Sequence, residues 1–136
     1  MRILVDTSVW IDFFRGESSR EREILKTCLD QREYVATSGI IVQEILQGIR
    51  EDTQYRETAK FLGFFPHFDL RFADHITAAN IYRQLRKRGF TIRSPIDCVI
   101  AALALRCRFL LLHKDRDFPT IARLYPLKLY EADSSQ

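Results

Sequence analysis

Four acidic residues stand where the local sequence pattern predicts apolar or neutral side chains. Asp6 ends the apolar run at the start of ILVDTSVW, and Glu44 interrupts a stripe of isoleucines on one face of a predicted helix. Asp97 is the third residue of a helix that would begin at Pro95, and Asp115 follows the apolar run FLLL by three residues. A buried carboxylate needs a proton, a cation or hydrogen-bond donors, because an unpaired charge is costly to remove from water.

Three of the four acids also have an ordinary structural explanation, which stays open at this point. Asp6 or Ser8 would cap the helix that follows, and Asp97 would complement the dipole at a helix N-terminus. Asp115 and Asp117 are of a residue type that is common in turns. Capping does not exclude metal binding, since a carboxylate has two oxygens. A cluster of such acids, with oxygen ligands only and no nucleophile–base pair among them, favours Mg²⁺ or Mn²⁺ over zinc or copper.

Asp6 and Asp115 converge only if the strands that precede them are parallel neighbours. Residues 3–5 and 109–112 have the composition of strands that are buried on both faces. Strands that alternate with helices predict a mostly parallel sheet covered on both faces, which is the α/β class. Parallel strands end at the same edge of the sheet, where α/β folds hold their ligands, so we expect Asp6 and Asp115 to meet there.

The pattern as a whole predicts a single domain over residues 1–132, followed by a tail at 133–136 that we expect to be disordered. Ser94 is the expected cap of the helix that begins at Pro95. The predicted strands cover residues 3–5, 34–37, 68–70, 109–112 and 127–130. The predicted helices cover residues 8–15, 21–31, 40–49, 52–62, 73–88, 95–105 and 120–124.

Composition restricts the class of protein further. Hydrophobic residues make up 46% of the chain and charged residues 29%, as in ordinary globular domains. The formal net charge of +3 leaves a more basic surface if several acids hold a metal, which suits a polyanionic partner. Three cysteines without paired spacing argue against a disulfide framework or a zinc site. No apolar run approaches the roughly 20 residues that span a bilayer, and no signal sequence is evident, so we expect a cytoplasmic protein without membrane contact.

The motifs around the acids resemble those of the PIN domain family, and within it the VapC-like toxins of bacterial and archaeal toxin–antitoxin pairs. The matching segments are DTSVWID at residues 6–12, QEILQG around Glu44, SPIDCVIAALAL from Ser94 and KDRDF from Lys114. The resemblance implies a three-layer α/β/α sandwich and a Mg²⁺-dependent endoribonuclease site, with Mn²⁺ as an alternative metal. It also implies an RNA substrate, an antitoxin partner and a homodimer.

Carried over residue by residue, the resemblance implies that four acids serve catalysis and metal binding, namely Asp6, Glu44, Asp97 and Asp115. Thr7 or Ser8 corresponds to the hydroxyl residue that supports the first aspartate. One departure concerns the fourth acid, because the family often has a small hydroxyl residue two positions before it, where this chain has His113. Asp117 could therefore share or take the role of Asp115.

The mechanism implied by these residues is hydrolysis of an RNA phosphodiester by a metal-activated water. Basic residues near the acids are the candidates for RNA contact, because they attract phosphate. These candidates are Lys114, Arg116 and Arg93. Trp10 and Phe14 are expected at an interface where an antitoxin segment could dock.

A function of a different class stays open, namely that of a noncatalytic PIN-like module that binds RNA or protein. The expected sign of such a module is the loss of acids from the site, and all four are present. A phosphatase of the haloacid-dehalogenase type also begins with a strand that ends in Asp, but it needs a second Asp where this chain has Ser8. A glycine-rich phosphate loop and a dinucleotide fingerprint are both absent from the sequence.

Overall fold

A computed structural model describes residues 2–131, which form a parallel sheet covered by helices. The four strands of this part of the chain are β1 (Arg2–Val5), β2 (Tyr34–Ala36), β3 (Leu110–Leu112) and β4 (Lys128–Leu129). Its seven helices are α1 (Thr7–Arg15), α2 (Arg20–Asp30), α3 (Gly39–Gln47), α4 (Asp52–Leu62), α5 (Phe72–Lys87), α6 (Pro95–Cys107) and α7 (Asp117–Ala122). The predicted α/β class and three-layer α/β/α sandwich are confirmed.

The strand order in the sheet is β2-β1-β3-β4, and every neighbouring pair is parallel. β1 lies between β2 and β3, as expected for a strand in which Ile3, Leu4 and Val5 are all buried. In the register of β1 with β3, Val5 is the partner of Leu112. The chain therefore leaves both strands at the same edge, and Asp6 begins beside the end of β3.

Helices α5 and α6 pack against each other. The side chains of Ile100 and Leu103 on α6 are completely buried, because this helix is apolar on nearly every face. Arg106 near the end of α6 donates from Nε to Asp74 Oδ1 of α5 at 2.8 Å. Asp74 is 2% exposed, so this ion pair lies largely within the protein, away from the N-terminus of α6.

Trp10 was expected at an interface, and this prediction is wrong. Its side chain is completely buried within the chain. The indole ring packs against four phenylalanine rings, those of Phe13, Phe14, Phe61 and Phe65. These aromatic neighbours enclose Trp10, whereas Phe14 is only partly buried and keeps an open surface.

The predicted strand at residues 68–70 is also wrong. The isolated parallel bridge of this region pairs Thr37 with His67, which precedes the segment, and the segment itself contributes only Phe68 N, which donates to Thr37 O at 2.9 Å. β2 ends at Ala36 and α3 begins at Gly39, so the chain offers no further strand backbone with which the segment could pair.

The last predicted helix is displaced by a few residues. The sequence predicts it at 120–124, whereas α7 spans Asp117–Ala122. Pro119 falls in the first turn of α7, where a missing N–H group costs no intrahelical hydrogen bond. The helix can therefore begin before the proline and continue through it.

The tail predicted at residues 133–136 lies outside the described residues, and the single-domain limit of 1–132 stays a prediction. Among the helices of residues 2–131, none combines the length and the apolar character that are needed to span a bilayer.

Candidate metal centre

Asp6 lies directly after β1, at the carboxyl edge of the sheet, and is 4% exposed. Its backbone N–H donates to Leu112 O at 2.9 Å, which joins it to the end of β3. Its Oδ2 accepts hydrogen bonds from Ser8 Oγ at 2.8 Å and from Ser8 N at 3.4 Å. The capping role that the sequence left open is thus present, and it engages one of the two carboxylate oxygens.

Glu44 is carried by α3, where it is flanked by the buried residues Ile41 and Ile45. Thr7 Oγ1 donates to Glu44 Oε1 at 2.8 Å, so the carboxylate of α3 is held against the start of α1. The two adjacent hydroxyl residues therefore have different partners. Ser8 binds Asp6, whereas Thr7 binds Glu44.

Three further acids form a compact group, consisting of Asp97, Asp115 and Asp117. One carboxylate oxygen of each lies within 4.8 Å of the oxygens of the other two. Asp97 and Asp117 are buried, and Asp115 is partly buried. Asp97 Oδ2 is buried with no hydrogen-bond partner among residues 2–131. An orphaned carboxylate oxygen at this depth is unfavourable unless a proton or a cation neutralises it.

Asp117 connects the acidic group to the N-terminus of α6. Its Oδ1 and Oδ2 both accept from Arg93 N at 3.1 Å, and Oδ2 also accepts from Ser94 N at 3.1 Å. Ser94 occupies the predicted cap position of α6, but its own side chain makes no capping hydrogen bond. Asp117 N donates in turn to Asp115 Oδ1 at 2.9 Å. Asp117 therefore fixes the backbone that precedes Asp97.

The negative charges of these acids act on one another. Burial and then neighbouring carboxylates raise the pKa of Asp97 from 3.8 to about 9. The neighbours are Asp117, Asp6 and Asp115. Burial also raises the pKa of Asp6, and the charge of Glu44 adds to that shift. All five acids thus belong to one electrostatic group, in which simultaneous ionisation is unfavourable without a cation.

The donor set of this group fits a hard divalent cation. Carboxylate oxygens are the ligands that such cations prefer, and the group contains no thiolate or imidazole ligand among its five acids. A bound cation would favour the ionised form of carboxylates that otherwise repel one another. The orphaned oxygen of Asp97 is one ligand atom that is already buried and free of other partners within the described residues.

A further charged residue near the site, Asp12, was not predicted from the sequence. It lies on α1, is 4% exposed, and accepts a hydrogen bond from Lys114 Nζ in an ion pair. Burial opposes the ionisation of Asp12, but the ammonium of Lys114 outweighs it, so the pKa of Asp12 is lowered. Asp12 closes the motif DTSVWID, but its spacing in the sequence does not indicate which cation it meets. Lys114 is therefore engaged within the chain, and its contact with RNA stays a prediction.

Arg93 and Arg116, the other predicted RNA contacts, are exposed. The backbone of Arg93 is held by Asp117, and Arg116 directly precedes α7. The backbone of both arginines therefore lies next to the acidic group. Their contact with RNA also stays a prediction.

His113 occupies the position at which the PIN family often has a small hydroxyl residue. Its ring packs against that of Phe118, with 5.3 Å between the ring centroids. Burial lowers the pKa of His113, which favours the neutral imidazole. These contacts give His113 a packing role beside Asp115.

Comparison with known proteins gives consistent results. A family model described as PIN domain matches residues 3–124. The ribonuclease VapC11 of Mycobacterium tuberculosis is 36% identical over 128 residues, which cover 93% of this chain and 96% of that protein. The ribonuclease VapC1 of Methanocaldococcus jannaschii is 32% identical over 134 residues, which cover 96% of this chain and 88% of that protein.

A solved structure supports the fold independently. It is the crystal structure of VapBC2 from Rickettsia felis bound to a DNA fragment from its promoter. The TM-score is 0.75 at 18% sequence identity, with 96% of this chain and 98% of that chain covered. At 18% sequence identity, this similarity supports the fold alone.

Proposed function

This chain belongs to the PIN domain family, and on that premise we propose that it is a metal-dependent endoribonuclease that acts as the toxin of a toxin–antitoxin pair. The observation that carries the proposal is the buried acidic group, in which Asp97 has an orphaned oxygen and a pKa of about 9. Relatives that are 36% and 32% identical over most of the chain are named ribonucleases, which supports RNA as the substrate. A noncatalytic binding module would not need to keep these unfavourable charges together.

Mg²⁺ is the cofactor that we propose, with Mn²⁺ as a functional substitute. Asp6 and Asp97 are the proposed central ligands. Glu44 either binds the metal or orients water, and Asp115 completes a second or weaker position. When bound, the ion supplies Lewis-acid chemistry for phosphodiester hydrolysis, by lowering the pKa of water and offsetting charge on the phosphate.

The fourth acid of the site is Asp115 in this proposal, and Asp117 has a supporting role. Both oxygens of Asp117 accept backbone hydrogen bonds at the start of α6, so they are less available to a metal than those of Asp115. Through these bonds Asp117 holds the first turn of α6, which carries Asp97. Thr7 and Ser8 hold Glu44 and Asp6 in the same way.

The RNA backbone would reach the acids past the basic residues that flank them. Arg93 and Arg116 are exposed next to the acidic group, and we propose that they contact phosphates. Such contacts weaken with added salt, because phosphate binding releases counterions. Neutralising either arginine should therefore reduce the salt dependence of RNA binding.

An antitoxin is the proposed protein partner, and a homodimer is the proposed assembly. Phe14 lines a groove of about 200 Å³ together with Ile11, Ile45 and Ile49. An apolar segment of an antitoxin would fit such a groove, which is rimmed by Arg15. The cytoplasmic location stays a prediction.

Cleavage of RNA by purified protein tests the proposed activity. Wild-type protein should cleave RNA with Mg²⁺ or Mn²⁺ and stop when the metal is chelated. Asp6→Ala and Asp97→Asn should abolish cleavage while the protein stays folded, as judged by circular dichroism. Asp30→Asn, an exposed acid at the end of α2, is the matched control and should cleave like the wild type.

Equal cleavage by the wild type and both site variants, all purified from a strain without contaminating nucleases, would refute the assignment. The toxin role is tested separately. Inducing the gene should halt growth and Asp6→Ala should not, and sequencing of cellular RNA ends after a short induction should reveal the sites that are cut. Normal growth in the presence of active, soluble protein would contradict the toxin role alone.

A further inference from the structure

We propose that the ion pair between Asp12 and Lys114 positions Asp115, and thereby sets the affinity of the acidic group for its divalent cation. This inference rests on the proposed metal-binding function of that group. Asp12 and Lys114 are positioning residues in it, since both would act through Asp115.

The ion pair connects two segments that both lead into the site. Asp12 lies on α1, the helix that begins directly after Asp6. Lys114 immediately precedes Asp115 in the chain. The contact of Lys114 Nζ with Asp12 Oδ2 therefore ties the segment that carries one proposed ligand to the segment that carries another.

The segment that carries Asp115 needs such a connection. β3 ends at Leu112 and α7 begins at Asp117, so residues 113–116 belong to no helix or strand. Asp115 is held from its C-terminal side, because Asp117 N donates to Asp115 Oδ1. The ion pair of Lys114 with Asp12 holds it from the N-terminal side.

The burial of Asp12 makes the contact a fixed one. The side chain of Asp12 is 6% exposed and that of Lys114 is 35% exposed. A buried carboxylate that loses its cation is left uncompensated, which strongly disfavours any arrangement in which Lys114 swings away. Lys114 is consequently a poor candidate for a mobile RNA contact. It is better suited to holding the segment that carries Asp115 in place.

Binding of Mn²⁺ to the metal-free protein, in the absence of RNA, tests this role without any activity measurement. Asp12→Asn and Lys114→Met should each weaken Mn²⁺ binding by about 10- to 100-fold, the range typical of residues that orient metal ligands. The double variant should be no weaker than the poorer single variant, because both changes break the same contact. Lys114→Arg keeps the charge and should bind Mn²⁺ nearly as the wild type does.

A matched control separates positioning from general stability. Asp74→Asn also removes a buried carboxylate that pairs with a partly exposed cation, Arg106, at the far end of α6. This variant should lower the melting temperature and leave the Kd for Mn²⁺ within about twofold of the wild-type value. Lys114→Met leaves the buried Asp12 without its cation, so if that variant fails to fold, Asp12→Asn and Lys114→Arg still provide the comparison.

Two results would overturn the positioning role. The first is wild-type Mn²⁺ affinity in both Asp12→Asn and Lys114→Met. The second is a Lys114→Met variant with a higher KM for RNA and unchanged Mn²⁺ affinity, together with an Asp12→Asn variant whose KM is unchanged. This result would make Lys114 an RNA contact. Asp97→Asn distinguishes failure of the inference from failure of the proposed function, because wild-type Mn²⁺ binding by that variant would refute the metal site itself.

Discussion

Thr7 donates a hydrogen bond of 2.8 Å from Oγ1 to Glu44 Oε1, and so links the helix after the first strand to the third helix of the chain. Thr7→Val keeps the shape of the side chain and removes the donor. A hydrogen bond to a charged group contributes about 1.5–3 kcal/mol, so we expect kcat/KM for RNA cleavage to fall by roughly 10- to 100-fold.

The control for this prediction is Thr7→Ser, which keeps the hydroxyl and should retain most of the activity. The measurement is the steady-state rate of cleavage of a defined RNA at saturating Mg²⁺. Similar rates for Thr7→Val and Thr7→Ser would mean that the hydroxyl of Thr7 has no part in orienting Glu44.

The pKa of Asp97 makes the stability of the metal-free protein depend on pH. This pKa is 3.8 for the unperturbed group and about 9 in the folded protein. Because the folded value is the higher one, the contribution of Asp97 to stability is fully present below pH 4 and is lost as the pH rises toward 9. Asp97→Asn stays neutral, so we expect it to melt about 3–6 °C above the wild type at pH 8 in EDTA.

The same pair of proteins should differ much less at pH 4, where Asp97 is protonated in the folded wild type and nearly half protonated in the unfolded chain. Thermal melts across this pH range, followed by circular dichroism, provide the measurement. A difference in melting temperature that stays constant between pH 4 and pH 8 would contradict the raised pKa.

We expect Asp115 to be required for cleavage and Asp117 to be required for stability. Asp117→Asn replaces one of two acceptor oxygens by an NH₂ group that faces the N–H groups of Arg93 and Ser94. We expect it to lose about 1–3 kcal/mol of unfolding free energy. Asp115→Asn should lose at least 100-fold in cleavage rate and little stability. Urea denaturation and cleavage rates of both variants test the assignment, and the reverse pattern would make Asp117 the fourth acid.

The sequence predicts the fold well because hydrophobic periodicity and buried strands depend on local residue types. The apolar run that ends at Val5 and the run that ends at Leu112 are enough to predict two central parallel strands, which then bring Asp6 and Asp115 to one edge of the sheet. The predictions that fail concern segments whose secondary structure depends on tertiary contacts. Residues 68–70 have strand-like composition, but no strand backbone continues beside them.

The candidate site is predictable only in part, for a related reason. An acid in an apolar context, such as Glu44, is visible in the sequence because it breaks a pattern. Asp12 breaks no such pattern, and its partner Lys114 lies 102 positions away in the sequence. The separate partners of Thr7 and Ser8 likewise depend on how α1 meets α3, which residue spacing within α1 does not determine.

Metal binding should release protons and stabilise the fold. A carboxylate must be ionised to bind a cation, and Asp97 has a pKa of about 9 without one, so binding at pH 7 should release about one proton. Mn²⁺ at 100 times its Kd should add about 2.7 kcal/mol to the unfolding free energy. Titration calorimetry in two buffers with different ionisation enthalpies measures the proton release, and thermal melts measure the stabilisation. Asp97→Asn should show neither effect, whereas Asp30→Asn should show both. Binding of Mn²⁺ without proton release would mean that the ion avoids Asp97.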